Sequence, residues 1–193
     1  MALQNREIRR ALAERLLSPE EAQALDVHGR TDAAVLVPLY LDRGELHAVL
    51  TERRGDLRRH AGEVSFPGGR QDESDPDLQA TALREAEEEI GLPRDAVDIV
   101  GALPPTPTIA TGYAIYPFAG VIEPGMTWTL SAREVAKVLE LSLRDLQRGY
   151  KRRRLIRRGI PILSDTYTVG EHLIWGATAR ILTDLLDRIE PLL

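Results

Sequence analysis

The sequence predicts an α+β fold in which β-favouring segments lie before and after one central acidic helix. Apolar, β-favouring runs at 32–51 precede the helix and further runs at 99–141 follow it, which favours helices layered on a sheet. A chain of 193 residues with 43% hydrophobic content can bury one substantial core. We therefore expect one main domain at residues 30–193, preceded by an accessory N-terminal helical segment at residues 1–29.

The N-terminal segment is expected to contain two helices. Apolar residues recur at helical spacing within 3–17, and Ser18-Pro19-Glu20-Glu21 has the pattern of a capping box that opens a short second helix. Strands are expected next at 32–41 and 45–51. The residues Asp42-Arg43-Gly44 between them predict that these strands form a hairpin.

The chain beyond the acidic helix is expected to supply most of the remaining strands. Its β-favouring segments predict strands at 99–103, 113–122, 135–141, 160–169 and 172–175. The proline-rich stretch 104–107 predicts a stiff, extended connection, and the residues up to Gly112 are numerous enough for a loop at the site. A short helix is expected at 142–149. The final amphipathic helix, at 177–189, should pack through Ile181, Leu185 and Leu186.

The central helix has clear boundary signals. Ser74 or Asp75, followed by Pro76, predicts the N-cap, and Gly91 predicts the C-terminal end, so the helix should make about four turns. Its core-facing stripe should consist of Leu83, Ala86 and Ile90.

Three acids of this helix occupy positions that local electrostatics disfavours. Glu85, Glu88 and Glu89 are spaced i, i+3 and i+4, so they share a face where each like-charge pair costs about 0.2–0.5 kcal/mol. They also lie near the negative end of the helix dipole. A divalent cation would reverse both penalties, because Mg²⁺ prefers hard carboxylate oxygens. A solvated acidic face is the alternative, and the helix charge alone favours that alternative.

The residues around these acids resemble a known motif. Residues 84–92, Arg-Glu-Ala-Glu-Glu-Glu-Ile-Gly-Leu, resemble the second half of the Nudix box, Arg-Glu-apolar-x-Glu-Glu-x-Gly-apolar, of hydrolases that cleave nucleoside diphosphates linked to another moiety. In the first half, the spacing from Gly69 to Arg84 is one residue longer than the family pattern. Asp75 or Asp77 stands where that pattern has its first Glu.

This resemblance implies an α/β/α sandwich around a mixed β-sheet. It also implies hydrolysis of a pyrophosphate linkage by a metal-activated water, with Glu85, Glu88 and Glu89 as ligands of Mg²⁺ or Mn²⁺. Arg84 is then expected to orient the glutamates through charged hydrogen bonds rather than to contact substrate. The glutamate that acts as general base is not identified by spacing.

The segment 50–69 resembles the signature of the coenzyme A pyrophosphatase branch of this family. Thr51, Arg53, Arg58, Gly62 and the run 66–69, Phe-Pro-Gly-Gly, align in register, whereas Arg54 stands where a small residue is usual. The resemblance implies coenzyme A as substrate and 3′,5′-ADP and 4′-phosphopantetheine as products. It also implies that Arg53 and Arg58 bind the ligand or organise the site, since guanidinium forks suit phosphate oxygens.

Other residues near the signature have weaker assignments. Gly68 and Gly69 either let the backbone approach a metal or phosphate closely or form a turn. We expect Arg54, Arg59 and His60 to lie at the surface.

Further along the chain, packing or solvent exposure is favoured over a role in the site. Trp175 is expected to be a core or sheet-edge aromatic residue, and packing is also favoured for the aromatic residues of the strand at 113–122. Glu134 is expected to be a surface acid. The basic run 151–158 is expected to be a solvated turn.

Two alternatives to a coenzyme A pyrophosphatase stay open. The first is a related enzyme acting on ADP-ribose, a dinucleotide, a nucleoside triphosphate or an RNA cap, which the longer box loop, Arg54 and the basic run favour. The second is a non-catalytic nucleotide-sensing or RNA-binding module, for which eroded box glutamates or a basic overall charge would be expected.

Composition sets broader bounds on the protein. The net charge of −5 disfavours general nucleic-acid binding, and the absence of Cys excludes disulfides and thiol chemistry. The chain has no apolar run of membrane-spanning length, and residues 1–6 do not resemble a secretory signal, so a cytoplasmic enzyme without a membrane or nucleic-acid partner is expected. A monomer and a homodimer are both compatible with the sequence.

Overall fold

Strands make up most of the middle of the chain, and helices flank them. The computed structural model describes residues 2–25, 27, 29, 31–56, 62–108, 112–157 and 160–193. Its helices are α1 (Ala2–Ala13), α2 (Pro19–Gln23), α3 (Leu78–Ile90), α4 (Leu143–Arg148) and α5 (Gly176–Ile189). Its strands are β1 (Thr31–Asp42), β2 (Glu45–Arg53), β3 (Val64–Ser65), β4 (Gly68–Arg70), β5 (Asp98–Ala102), β6 (Thr106–Pro107), β7 (Tyr113–Val121), β8 (Val135–Ser142), β9 (Tyr150–Arg157), β10 (Ile160–Val169) and β11 (His172–Trp175).

The larger sheet is mixed and is centred on β1. Strand β1 pairs in parallel with β7 along its length and antiparallel with both β2 and β4. Strands β3 and β8 extend the sheet from β2, and β5 and β6 pair with β7. The predicted mixed sheet is therefore confirmed.

A tight hairpin joins β1 to β2. Asp42 pairs with Glu45, which leaves Arg43 and Gly44 as a two-residue loop. Both loop residues have positive φ, 49° and 82°, as a type I′ turn requires. This confirms the hairpin that Asp42-Arg43-Gly44 predicts.

Helices cover both faces of the larger sheet. Successive residues of a strand point to opposite faces, so alternate residues of β1 pack with different helices. Leu36 and Tyr40 of β1 pack in one cluster with α3, whereas Val37 and Leu39 pack in a second cluster with α5. The result is the expected α/β/α arrangement. Ile181, Leu185 and Leu186 of α5 are buried, as predicted. Within the described residues, no helix is both long and apolar enough to cross a bilayer.

The N-terminal helices pack against the larger sheet. Ser18 caps α2 with both hydrogen bonds of the predicted capping box. Leu12 and Leu16 belong to the core cluster that contains α5, and Leu17 forms a β-bridge with Ala102 of β5. The division of the chain at residue 29 stays a prediction.

The smaller sheet corrects one sequence-based interpretation. Its strand order is β11-β10-β9, so the basic run expected as a solvated turn is instead the edge strand β9 in its described part. Charged side chains suit an edge strand because they discourage pairing with another chain. The short strands β3, β4 and β6 were also not predicted.

Helix α3 begins later than predicted. Its N-cap is Asp77, whose carboxylate accepts a hydrogen bond from Ala80 N at 2.7 Å, rather than Ser74 or Asp75. Asp75 is engaged instead with Arg84 and with the hydroxyl of Thr81. The C-terminal end at Gly91, in a left-handed conformation, is as predicted.

Candidate active site

Arg84 connects an acid of the loop before α3 with two glutamates of the second half of the helix. Its Nε and Nη2 donate to the two oxygens of Asp75, each at 2.9 Å. Its Nη1 donates to Glu85 Oε1 at 2.9 Å and to Glu88 Oε2 at 3.1 Å, and its Nη2 also reaches the carbonyl oxygen of Arg70 at 3.1 Å. One guanidinium thus fixes two glutamates of the box, the loop before the helix and strand β4.

The Arg84–Asp75 ion pair is largely buried, and each partner shifts the pKa of the other. Hydrogen bonds from Arg84 hold the pKa of Asp75 well below its ordinary value, against the opposing effect of burial. The same hydrogen bonds raise the pKa of Arg84. Asp75, one of two residues predicted to replace the family's first Glu, therefore remains ionised beside Arg84, while Asp77 caps the helix.

Glu85 lies against the backbone of β4. A Cβ atom at position 69 would overlap the Glu85 carboxylate, and one at position 68 would overlap the backbone of β1. Gly68 and Gly69 pair with β1 and do not form a turn, and their backbone closely approaches β1 and Glu85, whereas an approach to a metal or phosphate stays a prediction. Burial raises the pKa of Glu85 even though Arg84 opposes the shift.

Glu89 is the most buried acid of the group, with 5% of its surface exposed. Its Oε2 accepts a hydrogen bond from Gly68 N at 3.3 Å, and its Oε1 lies 3.9 Å from Arg53 Nη1. Burial raises the pKa of Glu89 to about 8, Arg53 opposes the shift, and the charges of Glu85 and Glu134 add to it. A buried carboxylate beside two others is an environment that a bound cation would stabilise.

Arg53 lies between two acids. Its Nη2 is 3.6 Å from Glu134 Oε2, on the side opposite its contact with Glu89. Its Nε is buried and has no hydrogen-bond partner among the described residues. Glu134 is half-exposed, as expected of a surface acid, but sequence reasoning missed that it faces Arg53. A single acid in a loop carries no local signal of such a contact.

The carboxylates fit a hard divalent cation by their chemistry, but their positions are set by other contacts. Among the described residues, no three acidic or histidine side chains converge as a metal-binding group. Arg84 holds Glu85 and Glu88, and Gly68 holds Glu89. Glu85 and Glu89 both lie against β4, whereas Glu88 is more exposed and contacts Arg84. A cation that binds them would replace part of these hydrogen bonds with carboxylate–metal bonds.

A cavity of about 730 Å³ extends from β4, whose Gly68 and Gly69 lie against Glu89 and Glu85, although the three box glutamates are not themselves among its lining residues. Its near end is lined by residues of the signature and of β4: Arg53, Glu63, Ser65, Phe66, Gly68, Gly69 and Arg70. Its far end is lined by the loop before β7, β7 itself and the start of α5: Thr108, Tyr113, Ile115, Trp175, Gly176, Ala177, Thr178 and Arg180. Residues 162–165 of β10 also line the cavity.

Two aromatic residues have a more specific position than the sequence indicated. Trp175 ends the edge strand β11, as expected of a sheet-edge aromatic residue, and also lines the cavity. Tyr113 begins β7 and lines the cavity too, whereas Phe118 of the same strand is packed in the core as predicted.

The remaining predicted residues lie apart from the cavity or outside the described residues. Arg54 donates to Asp56 and to the carbonyl oxygen of Ala132, which agrees with its expected surface position. Arg58, predicted to bind substrate, lies outside the described residues, as do Arg59 and His60.

Comparison with known proteins matches this chain to the model of a protein family and to a relative of similar length. The model of the NUDIX domain matches residues 30–157. An uncharacterized Nudix hydrolase, NudL, of Cronobacter sakazakii is 41% identical over 159 residues, which span 81% of this chain and 82% of that protein.

Solved structures show the same fold. A MutT/nudix family protein from Enterococcus faecalis has a TM-score of 0.55 at 12% identity, over 89% of this chain and 66% of that one. A binary complex of the Caenorhabditis elegans Ap4A hydrolase has a TM-score of 0.50 at 19% identity, over 60% of this chain and 82% of that one. At these identities the likeness concerns the fold alone. The matched domain ends before β10, β11 and α5, which form one wall of the cavity.

Proposed function

This chain belongs to the Nudix family of hydrolases, and from that membership we propose that it cleaves the pyrophosphate linkage of coenzyme A. The products are 3′,5′-ADP and 4′-phosphopantetheine. The observation that carries the proposal is the contact of Glu85 and Glu89 with Gly69 and Gly68 of β4, two residues that line one end of a 730 Å³ cavity. The coenzyme A signature, through Arg53, Gly68 and Gly69, lines that same end.

Glu85, Glu88 and Glu89 are the residues that would hold the divalent ions. When bound, Mg²⁺ or Mn²⁺ neutralises charge on the diphosphate and lowers the pKa of a coordinated water. The chain's own contribution is to keep the carboxylates of Glu85 and Glu89 beside β4, next to one end of the cavity. The burial of Glu89 and the mutual repulsion of Glu85 and Glu89 favour a cation there.

Arg84 acts as a positioning residue in this proposal. Its bidentate contact with Asp75 fixes the plane of its guanidinium, and the remaining donors orient Glu85 and Glu88. Since the guanidinium is 12% exposed and fully engaged, its role is to hold ligands rather than to bind substrate.

The arginines of the cavity complement a substrate with several phosphates. Arg53 and Arg70 line the end next to the box acids, and Arg180 lines the far end. A diphosphate could lie with the box glutamates on one side and Arg53 and Arg70 on the other. Its charge would then be balanced by these two guanidinium groups together with the metal. The rest of the cavity then accommodates the two groups that the diphosphate joins.

A dinucleotide or ADP-ribose is the second candidate substrate. Tyr113 and Trp175 line the cavity, and aromatic rings can stack on nucleoside bases. Arg54 no longer supports this alternative, because its guanidinium is paired with Asp56 away from the cavity.

Competing substrates test the proposal. The kcat/KM values of the purified chain are measured with coenzyme A, 3′-dephospho-coenzyme A, ADP-ribose, NADH, Ap4A and capped RNA, each with Mg²⁺ or Mn²⁺ and with chelator. We expect coenzyme A to have the highest value and its products to be identified by mass. If another compound has a higher kcat/KM, that compound takes the place of coenzyme A as the proposed substrate. If none of these compounds is turned over in the presence of metal, the result would support a non-catalytic module.

A further inference from the structure

Half of strand β10 has an open edge. Ile160–Asp165 pairs with β9, from Ile160 opposite Arg157 to Asp165 opposite Arg152. Pairing with β11 begins only at Thr166, opposite Trp175. Within the described part of the chain, the first half of β10 therefore has a neighbouring strand on one side and none on the other.

The pairing register identifies the backbone groups on that open side. Thr168 N donates to Gly149 O at 3.1 Å, on the side of β9. Backbone direction alternates along an antiparallel strand, so Leu163 and Asp165 direct their N–H groups away from β9. Pro161 has the same phase and lacks an N–H, which agrees with this assignment because proline is tolerated where no ladder hydrogen bond is made.

The open edge faces the cavity. Residues 162–165 all line it, although successive side chains of a strand point to opposite faces. A cavity that touches four consecutive residues reaches both faces of the strand, as it does when it runs along the open edge of β10. The same cavity reaches Gly68 and Gly69 beside the box acids.

The chemistry of this edge suits a neutral, extended chain that contains amides. Val35, Ile115, Ile162 and Leu163 supply aliphatic surface, and Leu163 supplies a backbone donor and acceptor. The carboxylate of Asp165, which accepts a hydrogen bond from Tyr150 and lies 3.8 Å from Arg152, offers no attraction to a phosphate at this edge. The pantetheine arm of coenzyme A is neutral and carries two amide groups separated by two methylenes.

We propose that the pantetheine arm lies along the open edge of β10 and hydrogen-bonds to the backbone of Leu163 as an added strand. The proposal rests on the proposed function, since it takes coenzyme A as the substrate. It places the 3′,5′-ADP half of the substrate away from this edge, in another part of the cavity.

Two proline substitutions test the proposal, one on each outer edge of the hairpin formed by β9 and β10. Leu163→Pro removes the N–H on the cavity side without removing a hydrogen bond to β9. Leu163→Ala keeps that N–H and measures the effect of the side chain alone. Arg154→Pro is the matched control, because Arg154 is the cross-strand partner of Leu163 and its N–H points away from β10. Circular dichroism of each variant verifies that the fold is kept.

Calorimetric titrations of 4′-phosphopantetheine and of 3′,5′-ADP provide the readout, with Mg²⁺ present throughout. We expect Leu163→Pro to weaken the binding of 4′-phosphopantetheine by roughly three- to tenfold beyond Leu163→Ala, as for one lost hydrogen bond. The affinity for 3′,5′-ADP should stay unchanged in Leu163→Pro, and Arg154→Pro should bind both products as the unmodified chain does.

Turnover of coenzyme A, measured in parallel, separates failure of this proposal from failure of the proposed function. If the unmodified chain hydrolyses coenzyme A but Leu163→Pro binds 4′-phosphopantetheine no more weakly than Leu163→Ala, the edge contact is wrong and the function stands. A selective loss of 3′,5′-ADP binding in Leu163→Pro also overturns the contact, because it puts the nucleotide half at the edge. A chain that neither hydrolyses coenzyme A nor binds 4′-phosphopantetheine overturns both.

Discussion

Arg84 and Asp75 form a bidentate ion pair, with the Nε–Oδ1 and Nη2–Oδ2 distances both 2.9 Å. The two side chains are 12% and 5% exposed, so the pair is shielded from water. Asp75 stands at the end of a loop one residue longer than the family pattern. The longer loop nevertheless delivers a carboxylate to the arginine that orients Glu85 and Glu88.

Substitution of Asp75 by Asn is expected to destabilise the fold. Asp75→Asn leaves the Arg84 charge without its main partner, so we expect the free energy of unfolding at pH 7 to fall by about 2–3 kcal/mol. Urea unfolding followed by circular dichroism measures this change. The matched control is Asp72→Asn, since Asp72 is 67% exposed and lies 3.9 Å from Arg84, and its loss should stay below about 0.5 kcal/mol. Equal losses in the two variants would contradict the assigned pair.

The same pair predicts how stability depends on pH. The pKa of Asp75 is lower in the folded than in the unfolded protein, because Arg84 stabilises the ionised form. The stabilisation is therefore complete above the unfolded pKa of about 3.9 and is lost as the pH falls through the folded value. The difference in unfolding free energy between the unmodified chain and Asp75→Asn should shrink below about pH 4. A difference that stays constant down to pH 2, measured by urea unfolding, would exclude this linkage.

Addition of one methyl group at Gly69 is expected to impair catalysis. A Cβ there would overlap the Glu85 carboxylate, so Gly69→Ala should displace that ligand. We expect kcat/KM for coenzyme A to fall roughly 10- to 100-fold, as displacements of about 1 Å can cause. Gly55→Ala serves as control because its Cβ would meet no atom of the described residues within 4 Å. Similar rates for the two variants would show that Glu85 does not need its position beside β4.

Arg53 is expected to act at the diphosphate end of the site, beside Glu89 and Glu134, rather than at the 3′-phosphate. Because its guanidinium lies near both Glu89 and Glu134, Arg53→Ala should lower kcat by roughly 10- to 100-fold with coenzyme A and by the same factor with 3′-dephospho-coenzyme A. Steady-state kinetics with both substrates measures the two factors. A larger loss with coenzyme A would instead assign Arg53 to the 3′-phosphate.

Most elements of the fold could be predicted because their signals are local. Asp42-Arg43-Gly44 specifies a hairpin, Ser18 and Glu21 specify a helix start, and Gly91 specifies a helix end. The start of α3 could not be predicted in the same way. Asp75 and Asp77 are both good N-caps, and the choice between them depends on Arg84, nine residues beyond Asp75.

The strand β9 and the contacts of Glu134 show where local reasoning ends. Lys151, Arg152 and Arg154 are exposed, so their composition resembles that of a turn, yet they pair with β10 as an edge strand. Glu134 approaches Arg53 because β8 pairs with β2, a contact between segments far apart in the sequence. Long-range pairing of this kind leaves no periodic or capping signal at the residues concerned.

The most direct test of the central claim compares two adjacent glutamates of α3. Turnover of coenzyme A in Mg²⁺ is measured for the unmodified chain, Glu88→Gln and Glu87→Gln, with products identified by mass. Glu87 accepts a hydrogen bond from Arg94 at 2.7 Å and is not among the proposed ligands. We predict that Glu88→Gln lowers kcat by a factor on the order of 100 or more while Glu87→Gln keeps the rate, as expected if Glu88, and not Glu87, is one of the metal-holding glutamates. A near-unchanged rate in Glu88→Gln would contradict the assignment of the box glutamates as the metal-dependent catalytic centre.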